Sequence, residues 1–228
     1  MSPLSTNPGR FDVALMLALT FSTGIVDAVG FVAFDQIFAA NMTGNLVVMG
    51  IGAVGAAPVA FWAPLCAVFA FASGAGLTGL LLRRGMRGWT RRSTIAFGGT
   101  AVALLAVAAW DWSGLTAAGD LRHAIAAAAL GFAMGVQTAA ARRVGVVDVN
   151  TVVVTLTLAG FFMESAAAVR PSRRMQLRRV TAVVLMTGGA ACGAALTQWG
   201  SWAGLLAAAG IVLLVTGIGH LQRAVHSR

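Results

Sequence analysis

An all-α, membrane-spanning fold is the class this sequence predicts, on three observations. Hydrophobic residues make up 58% of the 228-residue chain and charged ones only 10%, against roughly 25% charged in an ordinary soluble domain. Mean hydropathy is +0.84. The charges avoid the long apolar runs and collect between them, the pattern of a polytopic membrane protein. One membrane domain over residues 1–228 is expected, with six to eight apolar segments.

The first run extends from Phe11 to about Phe34, long enough for a bilayer that takes roughly 20 residues per span. It is too long for a signal-peptide core and lacks a clear cleavage pattern, so it reads as a mature span. Asp12 lies at its edge and Asp27 inside it, flanked by Gly24 and Gly30, which allow a neighbouring helix to approach closely. Asp35-Gln36 is a polar break. The second run, Asn41 to about Ala57, is short. Its Asn41-Met42-Thr43-Gly44-Asn45 start supplies helix-capping side chains, and Gly44 permits unusual backbone angles.

The third run, Pro58–Leu82, contains Pro64, an expected kink, and the small-residue face Ser73-Gly74-Ala75-Gly76. A basic stretch from Arg83 to Arg92 follows. The fourth run, Ser93–Trp110, opens on a Ser cap and ends in an acidic, aromatic loop with Asp111, Trp112 and Asp120. The fifth, Leu121–Ala141, carries His123 and Gln137, with Arg142-Arg143 after it. The sixth, Asn150–Val169, is rich in Thr and Val and holds Glu164. A second basic loop, Arg170–Arg179, precedes the last two runs, Val180–Gln198 and Trp202–Leu221.

The halves, about 11–110 and 121–221, repeat weakly. Phe21-x-x-Gly24-x-x-x-Ala28 recurs as Phe132-x-x-Gly135-x-x-x-Ala139, and Ser73-Gly74-x4-Gly79 as Thr187-Gly188-x4-Gly193. Such repeats are frequent in transporter folds. Charge placement is independent of them. If every run crosses, the two basic loops fall on opposite sides, against the positive-inside rule. If the second and sixth runs enter and return on one side, both basic loops, Arg142-Arg143 and the C-terminal tail share the cytoplasmic side, and the Asp111–Asp120 loop is outside. Six full spans plus two re-entrant or broken segments, in two inverted repeats, is therefore the expected architecture. Seven full spans with one charge violation is the alternative.

Net charge is +9, and every basic residue apart from three His is Arg. Because these Arg cluster in short loops between apolar runs, they read as topology signals and headgroup contacts, and nucleic acid is not an expected partner. Cys66 and Cys192 each lie in an apolar segment without a Cys/His cluster, so no metal, cofactor or disulfide framework is expected. No nucleophile elbow or phosphate loop occurs, and the absence of Lys excludes Schiff-base chemistry, so an enzyme is not expected.

Gly24-x-x-Asp27-Ala28-x-Gly30-Phe31 followed by Asn41-Met42-Thr43-Gly44-Asn45 resembles the YoaK family, also called the DUF1275 family of bacterial integral membrane proteins. In the second half, Gly131 to Arg142 and the Thr-rich Asn150–Thr157 resemble it too. Where similar proteins often read Thr-Gly, this chain has Thr155-Leu156. The resemblance covers most of the chain. It implies a multi-pass protein of the bacterial cytoplasmic membrane and says little about chemistry.

Ionisable and polar groups at bilayer depth mark candidate function by default. Asp27 is a candidate proton or cation site, weighed evenly against a structural carboxylate bonded to a neighbouring helix. Asn41, Thr43 and Asn45 could bind a solute through amides and hydroxyls, but capping of a broken helix is slightly favoured. Gln137 is a candidate against an interhelical hydrogen bond. Thr155, like Thr151 and Thr157, reads first as back-bonding within a helix. Glu164 and His123 read as interfacial. The expected function is a permease for a small solute, with a midplane site and the bilayer as its surroundings. The alternative is a non-transporting membrane scaffold or accessory subunit. A homo-oligomer is left open.

Overall fold

The first helix, α1 (Arg10–Ala33), fixes the frame because one face of it is buried along its length. The computed structural model describes residues 10–83, 88–114, 120–145 and 173–226. Among these the chain is helical: α1, α2 (Met42–Ala53), α3 (Trp62–Leu82), α4 (Arg91–Trp112), α5 (Asp120–Val144), α6 (Arg173–Leu196) and α7 (Ser201–His226). Six of them, all but α2, are long and apolar enough to cross a membrane. With 12 residues, α2 reaches only ~18 Å, short of a hydrocarbon layer of about 30 Å. The chain is an all-α, multi-pass membrane protein. The sixth apolar run, 150–169, lies outside the described residues.

Local chemistry explains several boundaries. Pro64 is the third residue of α3, in the first turn, where its missing N–H would have no helical partner, so it does not act as the expected mid-helix kink. The cap of α4 is Thr90, not Ser93: Thr90 Oγ1 accepts from the Ser93 N–H at 3.2 Å. α6 starts at Arg173, so Arg173 to Arg179 form helical turns rather than a loop.

Helix directions follow from residue contacts. A Cβ built on Gly189 would overlap the Phe21 carbonyl, and one on Gly193 would press on Ile25, so α1 and α6 run parallel at backbone contact. Gly131 meets Ala67 and Gly135 meets Phe71, so α3 and α5 also run parallel. Gly24 returns the α1–α6 contact on Met186 and Ala190, and Gly74 returns the α3–α5 contact on Phe132. α1 and α5 are antiparallel: Thr23 bonds Gln137, and Asp35 bonds His123. α4 and α7 are antiparallel, with Ser201 on Asp111 and Gly219 under Trp89. Two hydroxyls tie the layers together. Thr100 on α4 donates to the Ala133 carbonyl of α5, and Ser22 on α1 donates to the Ala208 carbonyl of α7, both at 3.2 Å.

These directions bring the basic groups to one end. Arg143 donates to the Leu82 and Arg83 carbonyls, and Arg92 to the Leu81 carbonyl, tying the ends of α5 and α3 to the start of α4. The start of α6 and the end of α7, with Arg223, lie at that same end. The opposite end carries Asp35, Asp111 and Asp120, with Arg122 as its one arginine among the described residues.

Replacing Gly135 by Ala drives a methyl into the Phe71 backbone and should destabilise the protein by about 1–3 kcal/mol. Gly99→Ala faces open space, and it should be neutral or mildly stabilising, because Ala favours helix by up to about 1 kcal/mol. Thermal unfolding in detergent separates the two; equal midpoints would rule out the close α3–α5 approach.

Candidate functional site: a buried carboxylate under a re-entrant helix

After Ala33 the chain turns back on itself. Asp35 and Gln36 both take left-handed backbone angles, φ 51° and 59°, a reversal that polar residues such as Asp tolerate better than branched ones. The returning leg packs on Gly30, where any Cβ would strike the Ile37 carbonyl. By Ala40 the leg has reached Asp27, six residues back along α1, or ~9 Å below its end. The Ala40 N–H donates to Asp27 Oδ1 at 2.7 Å. There α2 begins, and it climbs back until Gly52 meets Ala60 and Phe61 at the start of α3. Residues 34–53 thus enter and leave on one side, as expected for the second run.

An extended leg at membrane depth must find partners for its backbone, because the bilayer offers none. Three side chains supply them. Asp27 holds the Ala40 N–H. Asn45, fully buried, clamps Phe38 from both sides: its Oδ1 accepts from the Phe38 N–H at 2.7 Å and its Nδ2 donates to the Phe38 carbonyl at 2.6 Å. Asn41 is the N-cap of α2 and accepts from the Gly44 N–H at 3.3 Å. Gly44 is helical, not unusually angled; it is small because a Cβ would meet the Phe38 ring at 2.6 Å. At the outer turn, His123 Nδ1 and Asp35 Oδ1 are 2.8 Å apart, and the His123 ring meets Phe34 edge-on. The leg is thereby fastened to α5 as well as α1.

Gln137 reaches across from α5. Its Nε2 donates to Thr23 Oγ1 at 3.1 Å, and the Thr23 hydroxyl donates to the Leu19 carbonyl at 2.9 Å. Thr23 and Asp27 lie one turn apart on one face of α1. Asp27 is 4% exposed and Gln137 3%. One oxygen of each, Asp27 Oδ2 and Gln137 Oε1, is buried with no hydrogen-bond partner among the described residues, and the backbone N–H groups of Ala39 and Asn41 also lie against the Asp27 carboxylate. No cationic side chain pairs with Asp27 among the described residues.

Of the sequence candidates, Asp27, Asn41 and Asn45 therefore gather around the mouth of α2, while Gln137 is fastened to Thr23, one turn before Asp27 on α1. Thr43 is exposed; it is two residues from Asn45, about 200° around the helix. Thr155, with Thr151, Thr157 and Glu164, lies outside the described residues. Sequence reasoning missed Thr23, which is legible as the residue one turn before Asp27, and the Asp35–His123 pair, which no local spacing reveals. No cluster of three metal-binding side chains occurs among the described residues. A separate apolar cleft of about 380 Å³ lies between α3, α4 and α5, lined by Leu77, Ile95, Phe132 and Val136 among others.

A family model described as a protein of unknown function, DUF1275, matches residues 15–218. The chain belongs to the DUF1275 family. It is similar to the UPF0700 transmembrane protein YoaK of Bacillus subtilis (strain 168), 26% identical over 183 residues that cover 77% of this chain and 80% of that protein. No solved structure matches it. The DUF1275 match contains the whole re-entrant segment and Gln137.

Asn45→Leu removes both partners of a buried peptide unit and should cost about 2–4 kcal/mol, since each stranded group carries its full desolvation penalty. Asn41→Ala, which loses one longer capping bond, should cost about 1 kcal/mol. Thermal unfolding of the two variants checks the order; an Asn45→Leu protein as stable as wild type would refute the clamp.

Proposed function

We propose that this DUF1275 protein is a small-solute permease built from two inverted halves, with α1, α3 and α4 matched by α5, α6 and α7. The observation that carries the reading is the re-entrant helix α2, whose N-terminus stops at membrane depth on a buried carboxylate. Broken helices that end near the midplane present partial charges to a solute there. The inverted pairing is supported by contacts that repeat in matched positions. Gly24 on Met186 and Ala190 corresponds to Gly135 on Phe71 and Ala75; Gly189 on Phe21 corresponds to Gly74 on Phe132. With Gly24 matched to Gly135, Ser22 matches Ala133, so the two interlayer hydroxyl bonds also correspond, with the hydroxyl on opposite partners. These contacts pair Gly74 with Gly189, one residue on from the sequence alignment of Gly74 with Gly188.

In this reading the arginine-rich end faces the cytoplasm with both termini, in the bacterial cytoplasmic membrane. Single cysteines at exposed positions, on a background lacking Cys66 and Cys192, test it. Arg91→Cys and Arg223→Cys should label only after permeabilisation, and Gln198→Cys from outside; the reverse pattern would invert the topology.

Asp27 is the charge-compensating group, and Gln137 from the other half bonds Thr23, one turn before it. A scaffold without transport is the second reading. It is favoured by the loop's own consumption of Asn41 and Asn45, and by the open surfaces at Gly76, Gly79 and Gly99. A thermal-shift screen of purified protein with small solutes separates the two readings. For a permease, one solute class should raise the midpoint in wild type and lose that effect in Asp27→Asn. A cooperatively unfolding protein that no solute shifts would favour the scaffold.

A further inference from the structure

We infer that the apolar cleft between α3, α4 and α5 holds one acyl chain of an anionic phospholipid, whose headgroup phosphate sits on Arg91 and Arg92. The cleft has a volume of about 380 Å³ and an almost wholly apolar lining. Phe132 and Val136 of α5 form its floor. Leu77 and Leu81 of α3 make one wall, Ile95 and Gly99 of α4 the other. All of these but Val136 are exposed, so the cleft opens sideways onto the hydrocarbon around a membrane span. Gly99 makes the room: a Cβ there would meet nothing within 4 Å. Water finds too few polar partners in such a space, and lipid tails are what surround it.

Depth and charge name the kind of lipid. On α4, Arg91 and Arg92 stand one turn before Ile95 and two turns before Gly99, so they carry the cleft's face on toward water. From Arg92 to Ala103, the innermost lining residue of α4, the helix rises ~17 Å, about half of a hydrocarbon layer of about 30 Å. The cleft therefore serves one leaflet and ends near the midplane, as an acyl chain does. At the mouth, Arg92 Nη1 donates to the Leu81 carbonyl at 2.9 Å and bridges the two walls. The Arg91 side chain is exposed and unpaired among the described residues. The described carboxylate at that end is Asp12 on α1, a helix that does not line the cleft. A positive rim over an apolar slot matches a phosphodiester over an acyl chain. A second copy of this chain fits less well: paired across an axis along the membrane normal, it would set the same arginines against each other.

The lipid site stands apart from the permease reading, and its test needs no solute. Purified protein is unfolded thermally in detergent with added dioleoyl phosphatidylglycerol, or with dioleoyl phosphatidylcholine, which has the same chains and no net charge. Wild type should gain a few degrees more from phosphatidylglycerol. Glycerol phosphate, a headgroup without chains, should give no such gain. Gly99→Leu fills the cleft and leaves both arginines, and it should lose most of the phosphatidylglycerol gain. Ala103→Leu, deeper in the same cleft, serves if Gly99→Leu does not fold. Gly79→Leu also enters open space, but outside the cleft, and it should keep the gain. Arg91→Gln, which leaves the Arg92 bridge intact, should bring phosphatidylglycerol down toward phosphatidylcholine. Equal gains from the two lipids in wild type would overturn the proposal. So would a gain that survives in both cleft-filling variants, since the arginines would then act without the cleft, or an equal gain from glycerol phosphate. A dimer that Gly99→Leu turns into a monomer, with no preference between the lipids, would give the cleft to a second copy instead.

Discussion

Everything distinctive about this protein follows from one constraint: a peptide backbone that leaves helical geometry inside a bilayer must carry its own hydrogen-bond partners. Residues 34–41 leave it, and three side chains meet the demand. Asp27, Asn41 and Asn45 are therefore first of all components of a backbone-satisfying device. The glycines obey the same constraint in another form. Gly30 and Gly44 let the leg lie flat against α1 and under the first turn of α2, so the partner atoms come within bonding reach. Packing and hydrogen bonding are thus inseparable here, and a larger residue at Gly30 would disturb the Asp27 bond without touching Asp27.

Much of this could be read from the sequence, for reasons that differ between elements. The six long helices were legible because length and apolar content are all a bilayer asks of a span. The re-entry of the second run was legible through charge: with the first and third runs crossing, only its return on one side puts the Arg83–Arg92 stretch on the side of the N-terminus. The roles of Asn41 and Asn45 were half legible. A capping Asn before a helix is a local signal, whereas the Asn45 clamp depends on a leg seven residues earlier folding back beside it. The Asp35–His123 pair joins residues 88 positions apart, and no periodicity encodes such a contact. The misreadings at Pro64, Ser93 and Arg173–Arg179 are all errors of helix ends, where one turn decides whether a residue caps, starts or precedes a helix.

The close α1–α6 and α3–α5 pairs explain why glycine is spent where it is. Helices in lipid gain little from burying apolar side chains, so they associate by backbone proximity, and small residues permit it. Gly24, Gly189 and Gly193 do this on one side, and Gly74, Gly131 and Gly135 on the other. Gly76, Gly79 and Gly99 would meet nothing within 4 Å among the described residues. Two kinds of glycine therefore share the same helices, and only geometry tells them apart; a sequence motif counting small residues would treat them alike.

If the halves are inverted copies, they have kept packing and diverged in chemistry. Four of the glycine contacts correspond, Gly24 with Gly135 and Gly189 with Gly74, and the interlayer hydroxyl bond survives even where its donor has changed sides from Thr100 to Ser22. The polar residues do not correspond. Three residues beyond the matched glycines, Asp27 in α1 corresponds to Thr138 in α5; two residues beyond, Val26 corresponds to Gln137. A symmetric site would have placed two carboxylates near one axis, where their mutual repulsion in a low-dielectric interior would favour protonating one of them. Carboxylate on one helix and neutral amide on the other avoid that conflict and leave a single charge to balance.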